Sequence, residues 1–395
     1  MTNKLYEKNS YLKEYKTTVT ACIREGDSVY IKLADSIFFP EEGGQYSDRG
    51  TITSEDREIR ILKGQLLGSP TEGETDIRYL VDGEIETGTE VLCKLDWGLR
   101  FSRMQNHSGE HILSGLIHER FGLNNTGFHL SDEEPVTLAF DGLISEEQVS
   151  LIEREANEVI FQNLPIRDSY PSKSELEAIS YRSKLDIKAQ VRLITIGDES
   201  RTVDVCACCA PHVSHTGAIG FIKIISAIKF KGGTRLSILC GKRAFDYINE
   251  NLDLLEKTCK VFSTNPADLP RIADKCREEN QVLAAKTASL TEQLILKDIG
   301  SGAYKNCVIT GMDLSPVNMK NIYNLLVSIR EKACGVFVGS DEEGYRYYAG
   351  IKDGDARLLA QRMKEALNAK GGGSPEMIQG KCAATKEEID LFFNP

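Results

Sequence analysis

The sequence predicts an α+β protein, with an N-terminal β-barrel-like domain, a mixed α+β domain, a helical linker and a C-terminal α/β module. Three observations carry that reading. Residues 17–51 and 59–95 are strand-like runs broken by Gly, Asp and Pro turns. Residues 96–243 mix helical periodicity, as over 145–163, with strand-like runs at 191–196 and 235–240. After Gly241 the texture turns helical, before strands and helices alternate again from residue 301. The expected divisions are therefore 1–95, 96–243, 244–300 and 301–395. A chain of 395 residues with 41% hydrophobic content is long enough for two to four domains with sizeable cores.

In the second division, Ile112, Leu113, Leu116, Ile117 and Phe121 recur at helical spacing, and Gly122 stands where a C-cap would. A helix over 104–121 carries His107 and His111. Residues four apart on a helix lie ~40° apart around the axis and ~6 Å apart along it, so both imidazoles can reach one metal ion. His118 is on the order of 10 Å further along the axis, too far for metal–nitrogen bonds of ~2 Å. Glu110 is turned by ~100° from His111, which predicts a solvated side chain.

A second metal-type pair lies far along the chain, in Cys206-Ala207-Cys208-Cys209-Ala210-Pro211-His212. Pro211 lacks an amide donor and pushes its predecessor towards extended geometry, so Cys208 and His212 belong to a turn. The strand-like run 220–225 would anchor that turn to a sheet. A lone His-x-x-x-His arises by chance on many helices, and buried thiols are common. The chain has only six histidines, however, and three fall into two spacings of complementary geometry. Together His107, His111, Cys208 and His212 predict a four-ligand zinc site. Cys209 is an alternative to Cys208.

Eleven cysteines without an export signal predict reduced thiols and a cytoplasmic setting. The first residues have no apolar signal core, and no apolar run is long enough to span a bilayer. A formal charge of −11 disfavours broad phosphate binding, so any nucleic-acid surface must be local. Lys223, Lys229, Lys231, Arg235, Lys242 and Arg243 form one candidate stripe, although strand-edge lysines also serve to block aggregation.

Past Gly241, Leu269, Cys276, Leu283 and Leu290 fall at seven-residue intervals. That stripe fits a coiled-coil arm or dimer contact, and equally one helix of a hairpin. From residue 301, strand-like 308–311 and 335–339 alternate with helical 315–332 and 355–369, ending near Gly371-Gly372-Gly373.

Three ordered blocks resemble the alanyl-tRNA editing proteins called AlaX and the editing domain of alanyl-tRNA synthetase. They are Phe38-Phe39-Pro40-Glu41-Glu42-Gly43-Gly44-Gln45; Asp96-Trp97 through Arg103-Met104-Gln105-Asn106-His107 and His111; and Cys208 through His212-Val213 with Thr216-Gly217-Ala218-Ile219-Gly220. The resemblance covers roughly residues 31–243. Lys370-Gly371-Gly372-Gly373-Ser374-Pro375 extends it to the C-terminal domain of long AlaX proteins, which is also attached to phosphoesterases and implies nucleic-acid binding.

The resemblance implies an aminoacyl-tRNA deacylase with zinc as cofactor. Its expected substrate is the aminoacylated acceptor end of tRNA(Ala) wrongly esterified with serine or glycine, errors that an alanine pocket cannot strongly exclude. The resemblance to the synthetase also implies ATP binding. Gly43 and Gly44 would let backbone amides approach the ester or the terminal adenosine, and Gln45 would orient water or bind substrate. Residues 40–50 also read as an ordinary turn. Thr126-Gly127-Phe128-His129-Leu130 resembles an editing-domain segment and makes Thr126 and His129 pocket and catalytic candidates; His129 could equally be structural. Lys229, Lys231 and Arg235 are the nucleic-acid candidates. The family usually has two glycines and a threonine where this chain has Cys209, Ala210 and Pro211, which leaves that loop's substrate contacts open. Two other readings stand beside this one: a noncatalytic RNA-binding module with a structural zinc, and an editing enzyme for another tRNA. A homodimer would form through the helical region or the C-terminal domain.

Overall fold

The computed structural model describes residues 1–55, 57–69, 75–183 and 190–395. The chain divides into two compact units, Met1–Leu254 and Leu255–Pro395. Among the described residues no helix is long and apolar enough to cross a membrane.

The first unit begins with a closed barrel. Strands β1 (Glu14–Glu25), β2 (Ser28–Leu33), β3 (Gly50–Thr53), β4 (Glu58–Gly68), β5 (Thr75–Val81) and β6 (Glu90–Leu95) join in the order β1–β2–β5–β4–β3–β6. Alternate residues point inward, as the period of two requires: Val29, Ile31 and Leu33 on β2, and Ile77, Tyr79 and Val81 on β5. Phe38 and Phe39, just before the glycine-rich loop, are buried in the barrel core.

Helix α1 (Trp97–Phe121) follows directly. The Asp96 carboxylate accepts the Leu99 amide at 3.1 Å and starts it, and Gly122, at φ 67°, ends it in left-handed geometry. Next come β7 (Asn125–His129), β8 (Val136–Phe140) and α2 (Glu146–Gln162), the last opened by a Ser145–Gln148 capping box. Strands β9 (Ile166–Ser169), β10 (Leu193–Gly197) and β11 (Thr202–Ala207) form an antiparallel sheet. Strands β12 (Ile222–Phe230) and β13 (Gly233–Cys240) complete a second one in the order β12–β13–β8–β7. Leu116, Ile117, Leu138, Ile152, Leu236 and Ile238 share one core between α1, α2 and this sheet.

Because α1 is packed on several sides, every residue from Arg103 to Ile117 is buried. Gly115 permits part of this, since a Cβ there would lie 2.5 Å from the Val203 carbonyl on β11. The expectation of a solvated Glu110 is therefore corrected. A helix enclosed by sheets has no solvated face over this stretch, and Glu110 is 3% exposed.

Helix α3 (Lys242–Val261) carries the chain out of the first unit. The second unit contains α4 (Leu269–Gly300), on which Leu283 and Leu290 of the seven-residue stripe are exposed. It continues with β14 (Cys307–Thr310), α5 (Pro316–Ile329), β15 (Cys334–Ser340), β16 (Gly344–Gly350), α6 (Ala356–Leu367), β17 (Lys370–Gly373), β18 (Ile378–Cys382) and α7 (Lys386–Phe393). Its sheet runs β14–β15–β16–β18–β17, parallel at the first pair and antiparallel elsewhere. The Gly371–Gly373 triplet lies in an exposed edge strand.

Candidate metal centre

The 3.6-residue period of α1 sets His107 and His111 on one face, and Pro211 keeps Cys208 to His212 out of regular structure as a loop after β11. The fold brings these two segments together. One candidate ligand atom from each of His107, His111, Cys208 and His212 lies within 4.8 Å of every other. The Cys208 Sγ stands 3.6 Å from His107 Nε2 and 3.3 Å from His212 Nε2.

Each imidazole is held from behind by its other nitrogen. His107 Nδ1–H donates to Gln45 Oε1 at 2.7 Å, and His111 Nδ1–H donates to Asp204 Oδ2 at 3.0 Å. His212 Nδ1 lies 3.0 Å from the Ser108 hydroxyl. Asp204 is itself gripped by Arg182 through two bonds of 2.7 Å. Such partners fix tautomer and ring orientation, leaving Nε2 for a metal.

Electrostatics separates the neighbouring thiols. Burial pushes the Cys208 thiol up, but His107 and His212 more than offset this and hold it well below the usual cysteine range. Burial, Glu42 and Cys208 together push Cys209 well above that range. Of the two, Cys208 is the one suited to act as a thiolate donor, while Cys209 sits as a neutral thiol under Gly43. Burial pulls His212 down to about 3, which keeps its imidazole neutral. Three imidazoles and one thiolate form a donor set that suits a tetrahedral zinc ion.

A second, overlapping group joins His111 and Asp204 to Cys206. In addition, Glu110 reaches the edge of the cluster, with Oε2 3.7 Å from His111 Nε2. Its other oxygen accepts from Ser114 at 2.8 Å and Asn125 at 2.6 Å. Helical angle alone missed Glu110; the signal available was the glycine pair Gly109 and Gly115, which marks close packing on both sides of this turn.

The glycine-rich loop closes one side. Gly43 and Gly44 adopt φ of 61° and 83°, and a Cβ on Gly44 would lie 2.9 Å from the Phe128 carbonyl. Gln45 is fully buried, and its Nε2 has no protein partner among the described residues. Two arginines, two turns and one turn before His107, tie the loop to α1: Arg100 to Asp48, and Arg103 to the Ser47 carbonyl at 2.5 Å.

Other candidates stand elsewhere. Phe128 packs on the His107 ring with centroids 4.7 Å apart and is paired with the core residue Leu138. His129 is paired with Thr137, so strand alternation turns it to the opposite face, beside the Tyr46 ring. Thr126 is exposed and donates to the Ala139 carbonyl. Neither residue belongs to the four-ligand group. His118 and His215 are also outside it, bonded to Leu123 and Ser214 respectively. Of the basic stripe, Lys223 pairs with Glu153, Lys242 with Asp246, and Arg243 donates to the Ser131 and Glu134 carbonyls. Lys229, Lys231 and Arg235 have no carboxylate partner among the described residues.

Comparison with known proteins identifies the family. Residues 191–236 match the family model described as the threonyl and alanyl tRNA synthetase second additional domain. The chain is 30% identical to Alanyl-tRNA editing protein AlaX-L of Pyrococcus horikoshii, over 98% of this chain and 96% of that protein. It is 26% identical to Alanyl-tRNA editing protein Aarsd1 of Mus musculus, over 96% and 93% of the two chains. Against the alanine–tRNA ligase of Ignicoccus hospitalis it is 26% identical, over 99% of this chain but 42% of the ligase. End-to-end similarity of this kind places the chain in the AlaX family of alanyl-tRNA editing proteins.

Proposed function

We propose that this protein is a trans-editing hydrolase that removes serine, and also glycine, from mischarged tRNA(Ala) by cleaving the aminoacyl ester. The observation that carries the reading is the cluster of His107, His111, Cys208 and His212, placed directly against the glycine-rich loop. Zinc held by these residues would supply Lewis acidity towards the substrate's carbonyl or amino group. Gly43 and Gly44 leave room for the ester end of the substrate, and the buried Gln45 Nε2 offers an uncommitted donor beside it. Glu110 is the acidic group placed to accept a proton from water at the cluster. Lys229, Lys231 and Arg235 supply the local charge for tRNA. The proposed setting is cytoplasmic, in keeping with eleven unpaired cysteines. Self-association through the helical region or the C-terminal module belongs to the same reading, and sedimentation checks it.

A second reading has a specific support: four protein ligands can close a zinc shell, as in structural sites, which would make the protein a noncatalytic RNA-binding module. A third follows from the matched domain's occurrence in threonyl enzymes, and directs the hydrolysis at another tRNA. The test is deacylation of Ser-tRNA(Ala), Gly-tRNA(Ala), Ala-tRNA(Ala) and Ser-tRNA(Thr), with zinc content measured and a Cys208→Ala variant alongside. Loss of serine or glycine from tRNA(Ala), with alanine spared and the variant inactive, supports the proposal. Hydrolysis confined to Ser-tRNA(Thr) supports the third reading. Zinc and tRNA bound with every ester intact supports the second.

A further inference from the structure

The sheet β12–β13–β8–β7 has two unlike faces. Phe128, Leu138, Leu236 and Ile238 face the core, and on one edge of that side Phe128 touches the ligand candidate His107. On the other face lies a groove of about 720 Å³ lined by His129, Thr137, Phe230, Lys231 and Arg235 among others. That volume is within the usual range for ligand pockets, ~300–1,000 Å³.

The groove floor is aromatic and cationic. The Arg235 guanidinium lies 3.4 Å over the Phe230 ring, and Lys231 Nζ is 5.2 Å from the same ring. Lys229, Lys231 and Arg235 form no ion pair among the described residues, in a chain whose net charge is −11. Most other arginines of this unit are committed: Arg78 to Glu25, Arg100 to Asp48, Arg103 to Asp132, Arg120 to Glu155 and Arg182 to Asp204. The carboxylate lining the groove, Asp141, is held by the Asn124 amide and side chain, both at 2.8 Å.

A guanidinium over an aromatic ring beside an unpaired lysine is what single-stranded nucleic acid requires: a surface for a base and charge for its phosphate. We propose that this groove binds an unpaired ribonucleotide of the RNA whose 3′ ester is cleaved, with its base against Arg235 and its phosphate towards Lys231. The occupant is assigned on the tRNA-editing reading, whereas the groove's affinity for single-stranded RNA is measurable without it. One strand separates groove from cluster, since consecutive residues Phe128 and His129 point to the two.

The experiment uses the full chain loaded with zinc and a six-nucleotide unpaired RNA containing 2-aminopurine, titrated at several salt concentrations. Stacking should quench the probe. Arg235→Glu should weaken binding tenfold or more and lower the salt slope by about one or two, one unit for each phosphate no longer neutralised. Phe230→Leu, which keeps the charge but removes the ring, should reduce the quenching as well. Lys16→Glu, the same kind of charge change on the barrel strand β1, should bind as wild type. Equal binding by wild type, Arg235→Glu and Phe230→Leu would overturn the proposal, as would equally tight binding of inorganic tripolyphosphate without quenching. If mischarged tRNA is hydrolysed with the same KM by wild type and Arg235→Glu, the groove assignment fails and the hydrolase reading stands. If no ester is hydrolysed yet RNA binding is lost in Arg235→Glu, the reverse holds.

Discussion

The Asp48 carboxylate and the Arg100 guanidinium form an ion pair in which neither side chain has appreciable contact with water, at 1% and 0% exposure. Asp48 also accepts the Phe39 amide at 2.7 Å, while Arg100 donates to the Ile37 and Ser10 carbonyls. The pair therefore joins both ends of the glycine-rich loop to the helix that carries His107. Removing one partner of such a pair leaves a buried charge uncompensated. Asp48→Asn should cost about 3–5 kcal/mol in urea unfolding of the zinc-loaded protein. An isosteric variant as stable as wild type would show that Arg100 finds compensation elsewhere.

Cys208 and Cys209 are adjacent in sequence but opposite in character, one a thiolate between imidazoles and the other a buried thiol beside Glu42. Cys208→Ala should lose bound zinc on purification, whereas Cys209→Ala should retain one equivalent. Metal analysis of the two variants decides this. Loss of zinc from Cys209→Ala alone would reverse the assignment.

Asp204 acts on the cluster through His111. With Arg182 on its other side, it is held below the usual carboxylate range despite burial, so it stays charged and fixes the His111 tautomer. Loss of such a partner commonly weakens metal binding 10–100-fold. Asp204→Asn should therefore show zinc affinity lower by roughly that factor in chelator competition. An unchanged affinity would mean that packing alone orients the ring.

Much of the cluster was legible from the chain because its two halves are local. His107 and His111 share a helix face by spacing, and Pro211 alone rules out helix between Cys208 and His212. The strands of the barrel were legible as runs broken by Gly, Asp and Pro turns, for the same reason. What supports the cluster was not, since Gln45, Ser108 and Asp204 meet their histidines across separations of 62, 104 and 93 residues. No pattern in one sequence encodes such pairings. Thr126 and His129 show the converse: similarity of a short segment named them, but strand alternation and exposure decide which way they face.

Arg103 pairs with Asp132 while holding the Ser47 carbonyl, which links the loop to the turn after β7. Although partial burial pushes the Asp132 carboxyl up, Arg103 draws it below the ordinary carboxylate value. A group with a depressed folded pKa contributes stability that is present above its unfolded pKa, ~3.9, and lost as pH falls through the folded value. The stability gap between wild type and Asp132→Asn should thus be constant near neutrality and close as pH falls below about 4. A gap that widened in acid would contradict the pairing.

Glu110 offers the sharpest division between the catalytic and structural readings of the cluster. Its Oε1 is fixed by Ser114 and Asn125, so the carboxylate plane is set, and Oε2 is directed to the side of the cluster where His111 Nε2 lies. A carboxylate held in this way is suited to take a proton from water attacking an ester, a contribution of typically 10²–10⁴ in rate. Glu110→Gln preserves size and can still accept from Ser114, but cannot take that proton. If the site is a hydrolase, single-turnover deacylation of Ser-tRNA(Ala) should fall by roughly 10²–10⁴ while zinc content and tRNA affinity stay near wild type. If Glu110 serves only the packing of α1 against β7, the rate should follow whatever happens to thermal stability and zinc content, and a stable, zinc-replete Glu110→Gln with full activity would exclude it as the base.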